Sequence, residues 1–344
     1  YTYFFVRMLQ SPALYGVEAT YDFTNDPTLY NRRADLIYTA FCILHENKLV
    51  VYNAALGSVA STELGKIASH FYINFETINL YGKMLKPWHS ETDILSVFSN
   101  SGEFKYVPVR QEERLEISKL MEKCPIPIKE QPNEPLAKIN ILLQTFISRL
   151  SLEGYALIAD MIYITQSAGR LLRALYEIAL LHKWSSLAKS ILNLCKMVDK
   201  RLWLNNSPLR QFGDVVPHQI IRASEMSHLP WIRYFHLNPD ELAVALNLKG
   251  NAQIAKQYID SFPKVSIQYM VQPITEQFLR IQVEVIPEWS WILAIHGSQE
   301  IFNVFLEGCD GNKLLHSEQF IVKRKNINKP HILEFFVSFV APPL

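Results

Sequence analysis

Cysteine is scarce and scattered in this chain of 344 residues. Cys42, Cys124, Cys195 and Cys309 lie far apart, and no two of them form a C-x-x-C pair. That spacing argues against a disulfide framework and a zinc finger, and suits a reducing compartment. An excess of charge of one sign is also missing. The 34 basic residues meet 33 acidic ones for a net charge of +1, so there is no global basic field and any nucleic-acid site has to be a local patch. No apolar run reaches the roughly 18 residues that a membrane span needs. The most apolar segments are interrupted, by Asp160 in YALIADMIYI and by Glu334 in HILEFFVSFV, and no association with a membrane is expected. Also absent are a phosphate loop of the form G-x-x-x-x-G-K-[ST], an acidic metal-binding box, H-E-x-x-H and G-x-S-x-G; the 10 histidines are dispersed, none at ligand spacing from a partner. The chain is therefore expected to hold no catalytic residue, no metal and no cofactor of its own. It opens on Tyr1 with neither an initiator methionine nor a signal or transit peptide, and is expected to be a fragment with something upstream.

What is present suffices for real cores: 49% hydrophobic and 12% aromatic residues, in a length that allows two to four compact units. Residues 1–75 read as a small helical unit with a hairpin. RRADLIYTAFCILHENKLV is helical to about Asn47, and KLVVYNAALGSVAST alternates as two short strands around Asn53 to Gly57. Thr62 is placed to cap the next helix, ELGKIASHFYI. Helix, helix and hairpin suggest a winged helix, which either binds nucleic acid or braces a neighbour.

Residues 76–203 read as a helical bundle. Ser90 is a capping candidate, and VRQEERLEISKLMEKC is a charged amphipathic helix whose Glu112, Glu113 and Glu116 read as a solvated face. The four prolines of PIPIKEQPNEP make a rigid strap between helices. Residues 204–263 form a helix–loop–helix module: SPLRQF is a turn, Asn238 caps a helix that Pro239 opens, and Gly250 joins it to the next. Gly250 reads either as a plain helix-ending glycine or as part of a hairpin presenting amides to phosphate. From Lys264 the period changes to β-branched and aromatic runs separated by turns, implying four or five strands of an all-β immunoglobulin- or fibronectin-like sandwich over 264–344. That domain is expected to be truncated, with a further strand following APPL. The expected fold is thus multidomain and mainly α.

One segment carries a particular pattern. On a helix, Tyr163, Gln166, Arg170, Arg173 and Glu177 fall within an arc of about 80°, opposite Ile164, Ala168, Leu171, Leu172, Leu175, Ile178 and Ala179. The result is a polar stripe about 20 Å long on an otherwise buried helix. An aromatic ring, an amide and two guanidiniums, with small Ser167, Ala168 and Gly169 beside them, suit single-stranded nucleic acid: rings stack on bases and Arg forks onto phosphate. The alternative is a plain salt-bridged face, with Arg173 paired to Glu177 and Arg170 to another acid.

Several strings, in order and over nearly the whole chain, resemble the Sec-sixty-three homology unit of Ski-two-like helicases: RMLQSPALYGV, TELGKIASHFYI, AKINILLQTFISRL, TQSAGRLLRALYEIAL, NLCKMVDKRLW, SPLRQF and QPIT. PIPIKE and SPLRQF make the resemblance greatest to the first of two tandem cassettes in the family's spliceosomal branch, of the fifth small nuclear ribonucleoprotein. The resemblance implies a winged helix, a helical bundle with a ratchet helix at about 160–180, a helix–loop–helix and an immunoglobulin-like domain, standing behind RecA-like motor domains that this chain lacks. It implies a nuclear accessory region of an ATP-dependent RNA helicase that unwinds paired small nuclear RNAs in spliceosome activation. ATP and magnesium would be bound by the motor, single-stranded RNA by Tyr163, Gln166, Arg170 and Arg173, and spliceosomal proteins by other surfaces. In archaeal relatives an arginine and a tryptophan of the ratchet contact the strand; here those positions hold Tyr163 and Arg170, and Gly169 replaces a larger polar residue. Alternatives within the family are a non-catalytic interaction scaffold, either an idle cassette or a translocation-type homologue, and the helicase of the activating-signal cointegrator complex.

Overall fold

The structure is a computed structural model that describes residues 2–212, 215–227, 229–248, 250 and 252–338. Two compact units emerge. The first runs to Met84 and takes in Ser101–Glu103; the second comprises Leu85–Asn100 and the described chain from Phe104 onward.

The first unit holds α1 (Thr2–Gln10), α2 (Tyr30–Glu46), strands β1 (Val50–Asn53) and β2 (Ser58–Ser61), then α3 (Glu63–His70) and α4 (Phe75–Met84). The start of α2 has no capping side chain at Leu29 itself. Instead the Asp26 carboxylate accepts from the amides of Tyr30 at 2.7 Å and Asn31 at 3.0 Å, which puts a negative charge at the positive end of the helix. β1 and β2 pair antiparallel from Val50↔Ser61 to Asn53↔Ser58, the hairpin read from the alternation. Thr62 caps α3 through its hydroxyl, which accepts from the Gly65 amide at 3.0 Å. Gly65 has a second role: a Cβ there would sit 1.9 Å from the Leu49 carbonyl oxygen, so only glycine lets α3 approach the residue that leads into β1.

The second unit begins with α5 (Glu91–Ser99), opened by a capping box between Ser90 and Asp93. A 3-10 turn (Gln111–Glu113) leads into α6 (Arg114–Met121), and the proline strap follows without helix. The strap is held by the buried Gln144 side chain, which accepts from the Ile126 amide and donates to its carbonyl, both at 2.9 Å. Three long helices, α7 (Pro135–Ile147), α8 (Tyr155–Leu181) and α9 (Ser185–Lys200), pack on one another and bury Ile141, Leu142, Leu171, Leu175, Ile191 and Leu194 completely.

The module that follows comprises α10 (His218–Met226), α11 (Trp231–Tyr234), α12 (Pro239–Ala245) and α13 (Ala252–Ile259), around Leu209, Ile220, Tyr234, Leu242 and Ile259. Asn238 and Glu241 form a capping box with Pro239 at the first helical position. Five strands complete the described chain: β3 (Val265–Thr275), β4 (Phe278–Pro287), β5 (Gln299–Glu307), β6 (Leu314–Lys323) and β7 (His331–Ser338), with a short α14 (Leu293–His296) between β4 and β5. They form a three-stranded antiparallel sheet in the order β3-β4-β7 and an antiparallel pair β5-β6, over a core of Val285, Trp289, Phe320 and Val322. The further strand expected after APPL lies outside the described residues. Mainly helical with small antiparallel sheets, the fold agrees with the class expected from the sequence. Among the described residues no helix is long and apolar enough to cross a membrane.

Gly65→Ala should destabilise the first unit by about 1–3 kcal/mol as an overpacking change, although alanine is normally the better helix former. Gly82→Ala, whose Cβ would meet only Leu64 Cδ2 at 3.9 Å, should be neutral or gain up to about 1 kcal/mol. Chemical denaturation of the two variants side by side tests the contrast.

Candidate nucleic-acid interface

The helix carrying the stripe is longer than expected: α8 begins at Tyr155, five residues before the expected ratchet. Leu157, Ile164, Ala168, Leu171, Leu172, Ala174, Leu175, Ile178 and Ala179 are buried along it. The stripe faces outward. Tyr163, Gln166 and Arg173 are exposed, while Arg170 and Glu177 are half-buried. Arg170 Nη2 donates to Ser167 Oγ at 3.1 Å. A Cβ added at Gly169 would meet nothing within 4 Å, so the surface beside Arg170 is open. Arg173 lies near Cys195 of α9; burial pushes that thiol up to about 12 even though the Arg173 charge acts to lower it. The same face extends back to Tyr155, 90% exposed, and Ile162, 49% exposed.

The start of α8 is clamped by four ionised groups. Lys138 of α7 is fully buried, and its ammonium donates to Asp160 Oδ2 at 2.6 Å, Glu113 Oε2 at 2.6 Å and the Pro108 carbonyl at 2.7 Å. All three of its protons are thus used. Arg110 Nη1 reaches Asp160 Oδ2 at 2.8 Å and bonds Glu113. Burial works to raise both carboxyls, but the hydrogen bonds from Lys138 and Arg110 win and hold Asp160 and Glu113 below the usual carboxylate range. Two cations and two anions cancel, the condition under which buried charge is tolerated.

Glu116 acts beside them. Its carboxylate accepts from the amides of Glu153 at 2.8 Å and Gly154 at 3.2 Å, capping a helix with no acidic residue in its first turn. The solvated face expected of Glu112, Glu113 and Glu116 is therefore corrected. Only Glu112 is exposed; Glu113 is buried and Glu116 half-buried, because each has a partner from a segment 25 or more residues away in sequence. Lys138 and Arg110 were not singled out either. The available signal was a lysine inside the apolar run LAKINILL and an aspartate inside YALIADMIYI.

The other end of α8 meets the strands. The Leu314 amide donates to the Lys183 carbonyl and the Ser185 amide to the Asn312 carbonyl, both at 2.9 Å. Glu307 of β5 accepts from the Ser185 hydroxyl and from Lys189 Nζ, the latter at 3.0 Å. The helix is thus fixed at both ends, with its polar stripe left accessible. Among the described residues no group of three or more His, Cys, Asp or Glu is placed to hold a metal ion.

An outward stripe with an aromatic ring, an amide and two guanidiniums thus lies on a helix fixed in a bundle. Residues 61–343 match the family model of the Sec63 Brl domain, and the chain belongs to that family. It is 44% identical over 99% of its length to the U5 small nuclear ribonucleoprotein 200 kDa helicase of Homo sapiens. Over the same share it is 44% identical to the pre-mRNA-splicing factor brr2 of Schizosaccharomyces pombe and 45% identical to the DExH-box ATP-dependent RNA helicase DExH12 of Arabidopsis thaliana. The resemblance to Ski-two-like helicases read from the local strings is thereby established. The chain spans 16% of the length of each of these relatives.

Lys138→Met should cost about 3–5 kcal/mol, since it leaves two carboxylates facing each other with only Arg110 between them. Asp160 and Glu113 are held below their ordinary values, so the clamp stabilises fully above the unfolded carboxyl range near pH 4 and is lost as pH falls through the lower folded values. The gap in Tm between wild type and Lys138→Met should accordingly be widest near neutrality and close on acidification. A gap that does not change with pH would assign the loss to packing.

Proposed function

We propose that this chain is the accessory RNA-guiding region of an ATP-dependent RNA helicase that unwinds paired small nuclear RNAs during spliceosome activation in the nucleus. In this reading residues 1–75 are a winged-helix portion, 76–203 a bundle with its ratchet helix at about 160–180, 204–263 a helix–loop–helix and 264–344 an immunoglobulin-like sandwich. Single-stranded RNA lies along the exposed face of α8. Tyr163 stacks on a base, Gln166 bonds base edges or sugar, and Arg170 and Arg173 bind phosphates. RecA-like domains upstream in the same polypeptide bind ATP and magnesium and supply the pull.

The observation that carries the reading is the composition of the one exposed face of a clamped helix, in a chain whose relatives are named as RNA helicases. A solvated helix face ordinarily mixes lysine and glutamate; this one has no lysine and presents a ring, an amide and two guanidiniums, with Glu177 at its far end and an open glycine beside it. A rigid helix suits the role, because a strand drawn past a fixed row of contacts is held without the helix yielding.

A second reading, a protein-interaction scaffold, has its own support. Ile267 and Tyr269 of β3 and Ile332 and Phe336 of β7 are 60–77% exposed, more apolar surface than an isolated β region needs. Spliceosomal proteins are the partners this reading would place there.

Crosslinking of a single-stranded RNA to the full-length protein, mapped by mass spectrometry, separates the two. Crosslinks between Asp160 and Glu177 that Tyr163→Ala and Arg170→Ala abolish are the expected result. Crosslinks confined to other parts of the protein would make the chain a scaffold. A single lost contact of about 1–3 kcal/mol should slow unwinding by Arg170→Ala about fivefold or more while leaving its thermal stability close to wild type.

A further inference from the structure

The proposed RNA track is not uniform along its length, and its charge distribution divides it. Over the first part of α8 the exposed positions are Tyr155, Ala159, Ile162, Tyr163 and Gln166, with no cation among them. The start of that helix is also flanked by negative charge. Glu116 accepts from the amides of Glu153 and Gly154 with its carboxylate, and the exposed Glu153 adds a second negative charge. An anion brought there meets repulsion from both carboxylates. Two turns further on the character reverses: Arg170 and Arg173 supply guanidiniums beside the open surface at Gly169.

Tyr155 is the new element in this picture. At about 100° per residue it lies within about 80° of every other member of the stripe. Its ring is 90% exposed on a backbone that Glu116 and the Lys138 clamp hold in place, so a base stacking on it orders little that is not already ordered.

We infer that the face of α8 is split into a base-stacking half and a phosphate-gripping half, with Tyr155 the outermost stacking platform. Bases rest on Tyr155 and Tyr163, packed by Ile162, while the backbone of the same strand is held at Arg170 and Arg173. The inference rests on the proposed RNA-guiding role and specifies how the strand lies on the helix.

Salt dependence separates the halves, because only phosphate contacts release counterions. The experiment is equilibrium binding of a fluorescein-labelled single-stranded oligouridylate to the full-length protein over a range of salt concentrations. Tyr155→Ala should weaken binding about tenfold at every salt concentration with the slope of log K against log salt unchanged, and Tyr155→Phe should restore it. Arg173→Gln should make the slope shallower by about 0.7, the value for one phosphate of a single strand. Tyr155→Ala binding like wild type, or lowering the slope, overturns the division; if Arg173→Gln still lowers the slope, the RNA-guiding reading survives that failure. If Tyr155→Ala, Tyr163→Ala, Arg170→Gln and Arg173→Gln all bind like wild type at every salt concentration, the RNA reading falls and the division with it. The exposure of Tyr155 keeps folding out of the comparison, and equal melting curves for its variants verify that.

Discussion

The ammonium of Lys138 sits at 0% exposure between Asp160, Glu113 and a backbone carbonyl, and the geometry of the candidate site depends on it. A lone lysine at that depth would be neutral or would unfold its surroundings. With two carboxylates and Arg110 it becomes a four-membered knot joining the 3-10 turn ahead of α6, α7 and the first turns of α8. A knot of this kind contributes little net stability over an apolar core of the same shape, but it permits one arrangement and penalises the others. The proposed row of contacts to an RNA strand would need that specificity.

The remaining anchors serve the same helix. Glu116 caps its start from a neighbouring helix, and the β5–β6 hairpin takes the backbone just past its end. α8 is therefore fixed by long-range partners at both termini and buried along its inner face. The outward face carries Tyr163, Gln166 and Arg173 exposed and Arg170 and Glu177 half-buried, a composition with no lysine in it. Membership of the Sec63 family, and the likeness to proteins named as a helicase, a splicing factor and an RNA helicase, are the context in which an RNA ligand is proposed for the stripe.

Local signals were legible wherever the physics is local. Caps at Thr62, Ser90 and Asn238, the hairpin after Asn47 and the helix-free proline strap depend on residues within a few positions of one another, and each is found where the sequence puts it; of the four or five strands expected after Lys264, five are present. The stripe was legible for the same reason, since 3.6-residue periodicity is a property of one segment. Glu113 was misread because amphipathicity reports only that a position is polar. Whether its partner is water or a lysine 25 residues away is settled by how two helices cross. Tyr155 escaped notice because the helix start is set by Glu116, which lies 37 residues before the amide it binds.

By itself the sequence determined the helical and strand segments, their caps, the absence of phosphate-loop and metal-binding motifs and the polar stripe on α8, because backbone propensity, capping and periodicity act over one or two turns. Its family too was readable from short strings in order. The tertiary structure alone decided which charges are buried and matched, which aromatic rings remain in solvent, and where α8 begins and is held. Those outcomes depend on segments far apart in the chain meeting at hydrogen-bonding distance, and no local pattern carries that distance.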